Sequence, residues 1–145
     1  MKNLLIAILF LLLTSCTHLD AKFMEMVDGI PYDLTSVFVT VNNGMLYDPD
    51  APKGVVNPTE YDFFGVPFKR GTCSNHVAGY KEKLLELGYK EEDLIESERM
   101  VMMPWGVEKP HGYLTVLADD GWIYYLDNLR RVVIRTTISS YLYGS

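Results

Sequence analysis

Hydrophobic and polar positions divide the chain into a leader and a body. Lys2 is followed by an unbroken apolar run, Leu4 to Leu13. Ten such residues suit the core of a signal peptide and fall short of the roughly 20 needed to span a bilayer. In the body, Ser36-Val37-Phe38-Val39-Thr40-Val41 alternates and is rich in β-branched side chains, which predicts a strand. Residues 42–72 gather most of the Pro and Gly and read as one long irregular stretch. Its aromatics Tyr47, Tyr61, Phe63, Phe64 and Phe68 predict an ordered, packed loop. From Cys73 the pattern changes: Val77, Tyr80, Leu84 and Leu87 recur at spacings of three and four. That predicts a helix over 73–87, capped by Thr72 or Ser74 and stopped by Gly88. Residues 91–97 read as a short helical turn or a solvated loop. Strands are predicted at about 100–104, 113–118, 122–126 and 132–138, with Asp119-Asp120-Gly121 as a hairpin turn. The order is that of an α+β domain, one helix packed on an antiparallel sheet.

The leader ends Leu13-Thr14-Ser15-Cys16, which resembles the bacterial lipobox: an aliphatic residue, two small residues, then the cysteine that is acylated. The resemblance implies a signal peptide over 1–15 and a palmitate-type lipid anchor on Cys16. Several acyl chains together give stable attachment where one is marginal. Residues 16–35 then form the lipidated N-terminus and tether, and 36–145 the domain. Thr17 stands where inner-membrane retention uses Asp, so the implied location is the outer membrane, facing the periplasm. An ordinary cleaved leader is the alternative.

Composition supports a packed domain, at 48% hydrophobic and 22% charged residues. The net charge is −6, and no Lys/Arg run exceeds two residues. Nucleic acid is not an expected partner, because phosphate binding needs a basic footprint. With Cys16 acylated, Cys73 is the remaining thiol and no intramolecular disulfide can form.

That thiol begins the predicted helix, where unpaired N–H groups and the helix dipole favour an anion and suit a thiolate nucleophile. His111 opens the strand at 113–118 and is a candidate general base. Asp127 ends the next strand, and a hairpin of that span brings the two side by side, so the carboxylate can fix the imidazole tautomer. His76 projects from nearly the same helix face as Cys73 and competes as the base. The Cys73 backbone N–H and the Asn42 side chain are candidate oxyanion donors. Asp48, Asp50 and Glu60 lack calcium-loop spacing, and no glycine-rich phosphate loop is present. Neither metal nor cofactor is expected.

Gly71-Thr72-Cys73-Ser74-Asn75-His76, the helix end Leu87-Gly88, Pro110-His111-Gly112-Tyr113-Leu114-Thr115-Val116 and Leu126-Asp127-Asn128-Leu129 resemble the bacterial transglutaminase-like cysteine proteinases over residues 37–135. The resemblance implies a papain/transglutaminase-like fold, with Cys73 as nucleophile, His111 as base and Asp127 as the residue that orients it. The implied activity is thiol hydrolysis or acyl transfer at amide bonds of an envelope protein or peptide. The family carries acidic residues beside its cysteine where this chain has Thr72, Ser74 and Asn75, and a Gly where this chain has Pro110. A cell-wall endopeptidase and a non-catalytic envelope lipoprotein that binds a partner are the other readings.

Overall fold

The computed structural model describes residues 29–143. The chain separates into two compact units, Met1–Tyr32 and Asp33–Ser145, and the described residues fall almost wholly in the second. Cys16 and the apolar leader lie outside the described residues. Among the described residues, no helix is long and apolar enough to cross a membrane.

The domain opens with a helix, α1 (Tyr32–Asn43), where alternation predicted a strand. The buried positions are Leu34, Val37, Phe38 and Val41, a helical spacing that a window starting at Ser36 truncates. Val39, inward on a strand reading, is 47% exposed. Burial of one apolar stripe outweighs the weak β-preference of the valines.

The stretch taken as irregular holds three short strands, β1 (Met45–Tyr47), β2 (Glu60–Tyr61) and β3 (Pro67–Gly71). They form a small sheet of order β1-β3-β2, β1 parallel and β2 antiparallel to β3. The expectation that its aromatics pack together is corrected: Tyr47, Tyr61, Phe63 and Phe64 are exposed.

β3 runs straight into α2 (Cys73–Glu86), within one residue of the predicted helix. Thr72 is the N-cap, and Asn75 reaches back so that its Oδ1 accepts the Thr72 N–H at 2.7 Å and hydroxyl at 3.1 Å. At the other end Gly88 takes φ 92°. Its N–H donates to the Leu85 carbonyl and that of Tyr89 to Leu84, which closes the last turn. α1 packs on α2 through stacked Phe38 and Tyr80, centroids 6.0 Å apart. A Cβ on Gly79 would stand 3.1 Å from Val41 Cγ1, so the bare glycine sets how closely the helices approach.

A 3₁₀ turn (Glu91–Asp93) leads into β4 (Leu94–Met102), β5 (Glu108–Leu117), β6 (Trp122–Leu126) and β7 (Ile134–Thr137), then α3 (Ile138–Tyr143). The strands form an antiparallel sheet in chain order. β4 starts six residues before its predicted position. It is an edge strand, and Glu96, Glu98 and Arg99 mask its alternation. β5 likewise starts early and contains Pro110, tolerated because there β5 pairs only with β4: β6 begins its pairing at Leu114. Leu94, Leu114, Val116, Tyr124 and Leu126 are buried with Val77, Tyr80 and Leu84 of α2. The domain is therefore α+β.

Candidate active site

His111 and Asp127 come together. His111 sits on β5 and Asp127 directly follows β6, one step past the Leu114–Leu126 pair. His111 Nε2 lies 2.6 Å from Asp127 Oδ1, with the two residues 5% and 4% exposed. A carboxylate only accepts, so Nε2 carries the proton and Nδ1 is the ring's acceptor.

Asp127 has further partners. Its Oδ2 takes Arg99 Nη2 at 2.6 Å, its Oδ1 takes the Leu129 N–H at 2.9 Å, and Arg130 Nε stands 4.0 Å away. The turn is closed by Arg130 N–H donating to the Asp127 carbonyl. Arg99 pairs with His111 across β4 and β5, and its guanidinium stacks over Tyr113 at 5.8 Å. Motif reading missed both arginines. The sequence signal for Arg99 is its register opposite His111, which appears only once β4 is known to begin at Leu94.

The helix runs alongside β5 in the same direction. Val77 Cγ2 lies 3.7 Å from where a Gly112 Cβ would stand. One turn on, Lys81 Nζ reaches Glu96 Oε1 at 3.3 Å, and Glu96 pairs with Leu114. Cys73 stands one turn before Val77 on α2, and His111 one residue before Gly112 on β5. Alternation along β5 turns Gly112 and Leu114 toward α2, and His111 and Tyr113 the other way. Among the described residues, no hydrogen bond joins the half-buried Cys73 to His111 or Asp127.

His76 is held by its own helix: Nδ1 lies 2.9 Å from the Thr72 carbonyl. Its pKa is lowered, chiefly by burial and further by the charge of nearby His111, against the Thr72 bond. The folded domain thus holds His76 neutral at pH values where an unfolded histidine, near 6.5, takes up a proton. That contribution is present above about pH 6.5 and is lost as pH falls below it. His76→Gln is expected to flatten the decline of urea-melt midpoints between pH 7 and pH 5; a slope unchanged from the parent would assign that decline to other groups.

Asn42, the candidate oxyanion donor, is engaged through its carbonyl oxygen. Its Oδ1 accepts the Tyr80 hydroxyl, and burial raises that phenol's pKa. Asn42 and His76 instead line a cavity of about 300 Å³ with Asn128, Arg130 and Arg131. A second cavity, about 250 Å³, is lined by Arg99, Tyr113, Tyr125, Asp127, Arg130 and Ile134. Arg130 borders both. Asn75 does not line either; its Nδ2 donates to the carbonyls of Pro52 and Val55, bracing the loop before β2. Among the described residues, no group of three His, Cys, Asp or Glu side chains is placed to hold a metal ion.

No protein-family model matches the chain, and no curated protein matches it.

Proposed function

We propose that this chain is a membrane-anchored thiol hydrolase or acyl transferase acting on amide bonds, with Cys73 as nucleophile, His111 as base and Asp127 as the residue that orients it, on a papain/transglutaminase-like fold. The buried His111–Asp127 pair at 2.6 Å carries the reading. Beside it, Val77, one turn past Cys73 on α2, lies against Gly112, the chain neighbour of His111. Nucleophile–base contacts are often long before substrate binds and tighten afterwards.

The steps follow from the donors and acceptors. Nδ1 of His111 takes the Cys73 proton as sulfur attacks the amide carbonyl, forming a C–S bond and an oxyanion. The N–H of Cys73, in the first helical turn, has no intrahelical acceptor and is free to stabilise that charge. Collapse of the intermediate breaks the C–N bond while His111 returns the proton to the leaving amine. Water or a second amine then attacks the thioester carbonyl while giving a proton to His111; the C–S bond breaks, the proton returns to the Cys73 sulfur, and the product is the acid or a new amide. Asp127, bonded to Arg99, holds the imidazolium between steps. The anchor at Cys16, facing the periplasm from the outer membrane, restricts substrates to proteins or peptides of the envelope.

Alkylation of Cys73 by iodoacetamide tests the proposal on the full chain in detergent, from about pH 4 to about pH 9. The expected rate stays high well below neutrality and falls at least about tenfold at acid pH in His111→Ala. A rate that simply climbs through the ordinary thiol range near pH 8.5, the same in the variant, leaves a non-catalytic envelope lipoprotein.

A further inference from the structure

One turn of the domain holds large apolar side chains in water. Between β2 and β3, Phe63 is 96% exposed and Phe64 84% exposed, with Tyr61 and Val66 exposed beside them. Large apolar side chains thrust into water at a protruding tip mark a binding surface. The turn is not loose. Asp62 Oδ1 accepts the N–H groups of Phe64 and Val66, each at 2.8 Å. The Asp62 N–H donates to the Val66 carbonyl at 3.0 Å, and Gly65 closes the bend at φ 76°. The two rings meet edge to face, centroids 5.4 Å apart. A short, internally braced loop therefore presents a preformed aromatic wedge.

We propose that this wedge inserts into the lipid surface to which Cys16 is anchored, as a second point of attachment. The inference rests on the lipid anchor proposed above and not on the thiol chemistry. Sixteen residues separate Cys16 from Asp33, a span of at most about 55 Å when extended. A surface-bound acyl chain keeps the domain within that distance of the bilayer, so a weak second contact gains a high effective concentration. Aromatic rings suit the bilayer interface. The charged residues of the hairpin are Glu60, Asp62, Lys69 and Arg70, with Glu60 paired to Arg70; they sum to zero and offer anionic headgroups no net attraction. The contact is therefore apolar and insensitive to salt and headgroup charge.

The test uses the full lipidated chain, one copy per phosphatidylcholine nanodisc, with Phe63→Trp as reporter and the parent subtracted. Intact mass first shows whether Cys16 carries acyl chains; an unacylated chain removes the anchor and overturns the proposal at its premise. With acylation shown, the introduced indole is expected to shift its emission to the blue, to lose at least half its intensity to doxyl-labelled lipid, and to keep both responses at high salt. Emission at the aqueous position, quenched by iodide and not by labelled lipid, overturns membrane insertion. A blue shift without lipid quenching does so too, and assigns the wedge to a protein partner.

Discussion

Asp127→Ala is expected to lower the free energy of unfolding by about 3 kcal/mol, because removing one member of a buried charge network leaves the rest unpaired. Four groups converge on that carboxylate: the His111 ring, the Arg99 guanidinium, the Leu129 N–H and, more distantly, Arg130. Arg99 stays partly exposed, with 37% of its side chain open to water, which keeps the cost below the upper range for a fully buried pair. Arg99 Nε is already buried without a partner, so the guanidinium has nowhere else to turn. Urea denaturation of the variant beside its parent measures the loss. A difference under about 1 kcal/mol would mean that the network is solvated and that His111 is not held by Asp127. The same variant should let the His111 ring exchange between tautomers, visible in its nitrogen chemical shifts, while the parent shows the Nε2–H form alone.

Gly71→Ala is the second large effect, and it acts on the support of the turn that carries Cys73. A Cβ there would stand 2.5 Å from Asn75 Cβ, 2.9 Å from Asn75 Cγ and 2.9 Å from Met45 Sδ. Met45 can swing its sulfur aside. Asn75 Cβ is fixed to the helix backbone and cannot. One methyl group thus forces apart β3 and the first turn of α2, and overpacking of this kind costs about 1–3 kcal/mol. The Thr72–Asn75 bonds that fix the helix start would be strained with it. Thermal melts report the cost. Iodoacetamide labelling reports whether the Cys73 environment has shifted: the two should change together in this variant. A variant as stable as its parent would show that the clash is relieved elsewhere.

Local signals made part of this architecture legible in the sequence. α2 was readable because its apolar stripe, its cap and Gly88 all agree on one helix. The β5–β6 hairpin was readable from its turn, and with it the pairing of His111 and Asp127, since a tight hairpin leaves little freedom of register. α1 was misread because valines satisfy both periods over six residues and only Leu34, outside that window, decides between them. β4 was hidden because an edge strand carries charges on the face that a buried strand would fill with valine. Arg99 was invisible for the same reason: its role depends on a cross-strand neighbour, which no motif records. The tip at Phe63 and Phe64 was taken for packing because aromatic content alone does not say on which side of a turn the rings lie.

The loop before β2 has the composition in which length variation is ordinarily harmless, with Pro52, Gly54 and Pro58 close together. Its bonds say otherwise. Asn75 in the first turn of α2 holds the Pro52 and Val55 carbonyls, Ser74 Oγ accepts the Gly54 N–H, and Asn57 Nδ2 donates to the Arg70 carbonyl. The residues flanking Cys73 thus act as a template on which the loop is cast. An added residue cannot be absorbed as a harmless bulge; it must either break those bonds or pull on the turn that carries Cys73. Divergence of this domain would therefore preserve the length of that Pro/Gly-rich segment more strictly than its residues, a constraint hidden in what looks like the freest part of the chain.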